Sequence, residues 1–188
     1  MPEIPPPQAG MVLAAGRGSR LRPLTDIMPK PSVPLFGVPL IRRALGALRG
    51  QGVEELHVNL WHLPQALGDI LEVERLDDVP FTAHVEEDLL GTAGGVFNAL
   101  GSSNASDGLI YNGDVLYLGD LSPLWNRAVR ELKPLAVLGM VQSPDPVIPR
   151  SVIVDGGGRI QTFLNKDHDR ADAWTFGGMQ WISGELLR

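Results

Sequence analysis

The chain has 188 residues, 44% hydrophobic and 20% charged, with a formal net charge of −6. This is the composition of a folded protein rather than a disordered one, and the length suits one domain with a sizeable core. The acidic balance argues against non-specific nucleic-acid binding, and the lack of cysteine excludes disulfides and thiolate metal sites.

The N-terminus, MPEIPPPQ, has neither the basic start nor the apolar core of a signal peptide. Residues 1–9 read as an extended tail stiffened by Pro5 to Pro7. No apolar run reaches the ~18 residues of a membrane helix, so the expectation is a soluble, cytoplasmic protein. Met11 to Ala14 is a continuous apolar run that ends in turn residues, the pattern of a buried strand. Pro39 to Arg49 puts Ile41, Ala44, Leu45 and Leu48 on one helical face, and Gly50 and Gly52 stop it. Glu55 to Leu60 reads as a strand, Pro64 opens a helix carrying Leu67, Ile70 and Leu71, and Phe81 to Glu86 alternates as a strand. A helix is expected over Gly94 to Leu100, a strand over Gly108 to Tyr111, a helix over Leu121 to Leu132 and a strand over Leu135 to Val141.

Strands alternating with helices imply right-handed crossovers and a mostly parallel sheet covered on both faces. Ligands gather beyond the carboxyl ends of such strands, and Gly16, Gly91 and Asp114 all fall there. Beyond residue 142 the texture changes. SPDPVIPR is punctuated by proline, and SVIVDGGGRIQTFL reads as a hairpin joined by Gly156 to Gly158. Asp167 to Asp172 is polar and expected to be mobile, Phe176 to Ile182 returns to strand, and Ser183-Gly184-Glu185 is expected to open a helix. The expected fold is α/β: one three-layer, Rossmann-like domain over residues 1–188, with a small β-hairpin subregion within 143–175.

The rest is organised around GMVLAAGRGSRLRPLTDIMPKPSVP, from Gly10 to Pro34. Gly16 and Gly18 follow the strand at once, so the backbone can turn tightly and expose its N–H groups. Arg17, Arg20 and Arg22 crowd the turn, and Lys30 stands between Pro29 and Pro31. Backbone donors and clustered cations at a strand's end suit a polyphosphate, and the segment reads as the triphosphate-binding loop of a nucleotide-using transferase. The dinucleotide fingerprint fails because Leu21 stands where its third glycine belongs. The P-loop fails because Ser19-Arg20, not Lys-Ser or Lys-Thr, follows Gly18.

Leu13 to Thr25 and Pro29 to Pro31 match the pattern L-A-A-G-x-G-[ST]-R-[LM]-x-P-L-T followed by P-K-P. On these residues the chain resembles the sugar-phosphate nucleotidyltransferases, also called nucleotide-sugar pyrophosphorylases. The resemblance implies that family's fold, nucleotide binding by Leu13, Ala14, Ala15, Gly16, Gly18 and Ser19, and catalytic roles for Arg20 and Lys30. EEDLLGTAGG, from Glu86 to Gly95, resembles the family's E-x-x-x-L-G-T-A-G loop and implies base contacts at Glu86 and Gly91, with Thr92 beside them. Asp114 ends Tyr111-Asn112-Gly113-Asp114 directly after a strand, where a carboxylate can hold Mg²⁺, and the resemblance gives it that role. Phe163 to Lys166 stands where the family has F-x-E-K, and Phe176 to Met179 resembles F-x-G-I. Together they imply sugar-phosphate contacts at Asn165, Lys166 and Gly178, with Asn165 in place of the usual glutamate. The family's second magnesium aspartate lies in a D-x-G-T-P-like segment; none precedes Arg188, so the family's domain is expected to continue past it.

His57, His62, His84 and His168 have no metal-ligand spacing, and His57 and His84 read as structural groups in strands. A sugar 1-phosphate is already ionised near neutral pH, so it can attack the α-phosphorus of a nucleoside triphosphate without a general base. The implied partners are therefore these two substrates, with Mg²⁺ as cofactor, no nucleic acid and no membrane. A homo-oligomer is compatible with the sequence. The L-G-T-A-G and N-G-D elements look like mannose-1-phosphate guanylyltransferases, whereas VNLWHLPQAL resembles compact uridylyltransferases acting on N-acetylmuramate 1-phosphate or related sugars. A reading from another class is a catalytically inactive, nucleotide-sugar-binding regulatory subunit. It predicts decay of Arg20, Lys30 or Asp114, and all three are present.

Overall fold

The apolar run after the proline tail becomes β1 (Ala9–Leu13), four of whose five residues are buried. The computed structural model describes residues 4–73, 81–101, 103, 105–130, 134–142, 151–164, 170 and 172–187. After β1 come the short pair β2 (Pro34–Leu35) and β3 (Val38–Pro39), then α1 (Leu40–Gly50), β4 (Glu55–Leu60), α2 (Pro64–Val73) and β5 (Phe81–Val85). They are followed by α3 (Gly91–Leu100), β6 (Asp107–Asn112), α4 (Ser122–Arg130) and β7 (Ala136–Val141). The described elements end with β8 (Val152–Val154), β9 (Ile160–Phe163) and β10 (Thr175–Ser183). The chain divides into two compact units, Met1–Val137 with Gln180–Arg188, and Leu138–Met179.

The six-stranded sheet has the order β5-β4-β1-β6-β10-β7. β1 is parallel to β4, with Met11 opposite His57, and parallel to β6, with Met11 opposite Ile110. β4 and β5 are parallel as well. At the far side Gly184 N donates to Ser106 O (2.7 Å) and Ser183 N to Leu135 O (2.9 Å). These bonds set the end of β10 beside the starts of β6 and β7, so β10 runs against its neighbours in a mostly parallel sheet.

Side chains alternate across a strand, and β1 uses both faces. Ala9 and Met11 enter a cluster with Val96, Ala99 and Leu100 of α3, Ile110 of β6, Ile182 and Leu187. Gly10, between them, faces the other way: a Cβ added there would lie 3.2 Å from Leu48 of α1. Helices therefore cover opposite faces of the strand, which is the expected three-layer arrangement. In α1 the buried residues are Ile41, Ala44, Leu45 and Leu48, the face its spacing predicts. The tail is tied down by its backbone, with Gln8 O accepting from Glu54 N and Glu55 N and Ile4 O accepting from the indole of Trp125.

Most described element ends fall within one residue of the sequence reading, and two places differ by more than two residues. α3 begins at Gly91 rather than Gly94, because Leu90 N is held by the Glu86 carboxylate and the chain enters the helix from that anchor. After β10, residues 184–187 form turns instead of opening a helix. Ser106 O captures Gly184 N, and Leu186 N closes a turn onto Ser183 O (3.0 Å).

In the second unit β8 and β9 form the expected antiparallel hairpin. Asp155 closes its glycine turn, its Oδ1 accepting from Gly157 N and Arg159 N at 2.9 Å each. Residues 143–150, 165–169 and 171 lie outside the described residues.

Candidate active site

β1, β4, β5 and β6 run in one direction, so the segments that follow them emerge along one edge of the sheet. A cavity of about 380 Å³ opens there. Its wall includes Leu13, Ala14, Ala15, Gly16, Gly18, Ser19 and Arg20 from the loop after β1. Lys30 and Pro31 add to that side, Leu89, Gly91 and Thr92 come from the approach to α3, and Asn112 and Asp114 from the end of β6.

The loop's shape depends on Gly18. Its φ is +62°, in the left-handed region that favours glycine, and an added Cβ would lie 2.9 Å from Thr25 Cγ2 and 3.0 Å from Lys30 Cβ. The Thr25 hydroxyl, itself buried, donates to Gly18 O (3.0 Å) and fixes the turn against the segment that carries Lys30. Gly16 is different: space is open around it and its φ is not positive.

The clustered cations separate into distinct roles. The Arg17 guanidinium lies 4.8 Å from the centroid of the Trp61 ring, within cation–π range. Arg22 pairs with Asp26, four residues on, at 3.0 Å. Arg20 lines the cavity and has no ion-pair partner among the described residues. Lys30 Nζ lies 2.5 Å from Asp114 Oδ2, so residues 84 positions apart meet in the same wall. The pair is partly open to solvent, with side chains 24% and 35% exposed, and an entering ligand can reach both.

Residues 9–178 match the family model described as "Nucleotidyl transferase". The chain belongs to the nucleotidyl transferase family. It is 32% identical over 163 residues to the mannose-1-phosphate guanylyltransferase of Mycobacterium tuberculosis, a match covering 85% of this chain and 44% of that one. It is 40% identical over 107 residues to the N-acetylmuramate alpha-1-phosphate uridylyltransferase of Neisseria meningitidis serogroup B, covering 56% of this chain and 46% of that one. This chain therefore spans less than half the length of either relative. Its fold is like that of the crystal structure of HddC from Yersinia pseudotuberculosis, with a TM-score of 0.82 and 23% identity over 96% of this chain and 78% of that one.

The fold brings eleven of the sequence-predicted residues to one cavity: Leu13, Ala14, Ala15, Gly16, Gly18, Ser19, Arg20, Lys30, Gly91, Thr92 and Asp114. Glu86 is turned inward instead. It is 5% exposed, its Oε1 accepts from Asn59 Nδ2 (2.7 Å) and its Oε2 accepts from Leu90 N (3.1 Å). Both carboxylate oxygens thus serve the protein's own donors. Gly178, on β10, belongs to the second unit and has a φ of +85°. Asn165 and Lys166 lie outside the described residues.

Sequence reasoning missed Asn59. It is buried in β4, and its Oδ1 accepts from Ala14 N at the start of the loop after β1 (2.8 Å). The signal was a single amide inside the otherwise apolar end of GluLeuHisValAsnLeu, where a strand in a parallel sheet is usually apolar throughout. Two residues before Asn59 on β4, His57 Nδ1 meets His84 Nε2 of β5 at 3.0 Å. Burial holds the His57 imidazole below the ordinary histidine value, reinforced by His84 and opposed by Glu55. Burial lowers His84 as well. Both rings therefore stay neutral near pH 7.

Proposed function

We propose that this chain carries out nucleotidyl transfer from a nucleoside triphosphate to a sugar 1-phosphate, giving a nucleoside diphosphate sugar and pyrophosphate. The observation that carries the reading is the meeting of Lys30 and Asp114 at 2.5 Å in a wall shared with Arg20 and the glycine loop. Cations, a carboxylate and free backbone donors on one open cavity are what a polyphosphate and its counter-ion require. A phosphate oxygen of the sugar 1-phosphate attacks the α-phosphorus in line. The bond from that phosphorus to the bridging oxygen breaks, and pyrophosphate leaves with the electron pair.

The protein's contribution is alignment and charge stabilisation rather than proton transfer. Gly18 and its neighbours present backbone N–H groups to the phosphates. Arg20, without an ion-pair partner among the described residues, clamps the leaving pyrophosphate as a planar guanidinium does. Lys30 neutralises charge at the α-phosphate and helps orient the attacking oxygen. The family generally uses a divalent metal, and Asp114 fits Mg²⁺ because its hard carboxylate oxygens stand on the cavity. Among the described residues no cluster of three or more His, Asp or Glu could hold an ion alone. Asp114 would hold magnesium, which would supply Lewis-acid stabilisation of the developing charge. Asn165, Lys166 and Gly178 are proposed to hold the sugar phosphate. No helix among the described residues is long and apolar enough to cross a membrane, and we place the reaction in the cytoplasm, where nucleoside triphosphates are abundant.

The named relatives include a guanylyltransferase and a uridylyltransferase, and both nucleotides stay open for this chain. The test is a screen of the four nucleoside triphosphates against mannose, N-acetylmuramate, glucose and heptose 1-phosphates with Mg²⁺. Pyrophosphate and the nucleotide sugar are read together. Turnover with one pair supports the proposal and names the substrates. Binding without turnover by the full natural protein favours an inactive, nucleotide-sugar-binding subunit instead.

A further inference from the structure

We infer that Asn59 is a positioning residue that holds the two walls of the cavity in register. The inference rests on reading that cavity as the nucleotide site. Asn59 lines the cavity but is only 3% exposed, and both ends of its amide are bonded within the protein. Its Oδ1 accepts from Ala14 N, where the phosphate loop leaves β1 (2.8 Å). Its Nδ2 donates to Glu86 Oε1 (2.7 Å), and Glu86 Oε2 accepts from Leu90 N (3.1 Å), one residue before α3 begins at Gly91. A chain of three hydrogen bonds therefore runs from the phosphate loop to the opposite wall. It joins residues 45 and 27 positions apart.

The side-chain type is dictated by its two partners. A backbone N–H must be accepted and a carboxylate must be donated to from one place, which an amide does and no carboxylate or aliphatic group can. An alanine or leucine there leaves the Ala14 N–H without its buried acceptor, which costs more than the bond itself contributes. Gly95 completes the seat. A Cβ on Gly95 would lie 2.7 Å from Asn59 Nδ2 and 2.9 Å from Glu86 Oε1, so α3 reaches the pair only through a glycine. A nucleotide that touches both walls depends on their register, whereas an anion that touches the phosphate loop alone does not.

The experiment measures binding of GTP and of UTP, each with Mg²⁺, and of inorganic tripolyphosphate, by titration calorimetry. It uses the wild type, N59A, G95A and the double variant, with a melting curve for each. N59A and G95A should each weaken whichever nucleoside triphosphate the wild type binds by about tenfold, while tripolyphosphate changes by less than about threefold. The double variant should lose less than the sum of the two single losses, because truncating the Asn59 amide removes the nearer of the two atoms the new methyl meets and leaves only Glu86 Oε1. Equal losses for nucleotide and tripolyphosphate, losses that add in the double variant, or an N59A that binds like wild type would each overturn the positioning role. A wild type that binds neither GTP nor UTP is titrated with the other nucleoside triphosphates, and binding of none of them overturns the nucleotide reading and this inference with it. If N59A does not fold, E86Q decides: it keeps the volume but gives up one of two acceptors, and the same split between ligands is expected.

Discussion

Alanine at Gly18 and at Gly16, both in the loop after β1, should have unequal consequences. At Gly18 the backbone sits at φ +62°, where a residue with a Cβ costs about 1–2 kcal/mol. The new methyl would also lie 2.9 Å from Thr25 Cγ2 and 3.0 Å from Lys30 Cβ. Thr25 is 1% exposed and hydrogen-bonded to Gly18 O, so it cannot swing aside. Moving Lys30 relieves only its share of the conflict and the clash with Thr25 remains; such overpacking costs about 1–3 kcal/mol. The total for Gly18→Ala is about 2–5 kcal/mol, which lowers Tm by about 4–20 °C for a chain of this size. Gly16 has no atom within 4 Å of a new Cβ and no positive φ, so Gly16→Ala should stay within about 0.5 kcal/mol of wild type. Thermal melting of the two variants measures the difference, and pyrophosphate release tests whether displacing Lys30 also reduces turnover in Gly18→Ala. Equal melting temperatures would refute the steric argument, and a Gly18→Ala enzyme with full turnover would refute the link to Lys30.

Lys30→Ala or Asp114→Ala should each lose on the order of 10²–10⁴ in rate, because charge stabilisation supplies most of the acceleration proposed here. Near-normal pyrophosphate release by either would remove it from the mechanism. Chelation with EDTA should stop pyrophosphate release and leave the far-ultraviolet circular dichroism unchanged; continued turnover would exclude the metal role of Asp114. The His57–His84 pair gives stability a pH dependence. Both native values are depressed, so the unfolded chain takes up protons first. Stability is complete above about 6.5 and falls as pH drops below it towards the native values. Urea midpoints across the mildly acidic range should decline for wild type and decline less for His84→Gln. Leu48→Ala, in a side chain with no exposed surface, should cost about 2–5 kcal/mol in urea unfolding without altering the nucleotide preference.

Much of this protein is written locally. The spacing of Ile41, Ala44, Leu45 and Leu48 specifies α1, and the apolar run after the proline tail specifies β1, because periodicity and turn residues act over a few positions. Gly16, Gly18, Arg20 and Lys30 carry the phosphate-loop chemistry in one short stretch, so their proximity is legible without the fold. The start of α3 was not. GlyThrAlaGlyGly reads as a helix breaker, and only the capture of Leu90 N by Glu86 decides that the helix opens at Gly91. Nor do the arginines reveal that Arg17 lies over Trp61 and Arg22 pairs with Asp26, leaving Arg20 to the cavity. The inward turn of Glu86 and the bridging amide of Asn59 depend on which strands become neighbours. Periodicity sets the faces of single elements, but a hydrogen bond across 27 or 45 residues exists only once β1, β4 and β5 lie side by side, and that ordering is a property of the packed sheet.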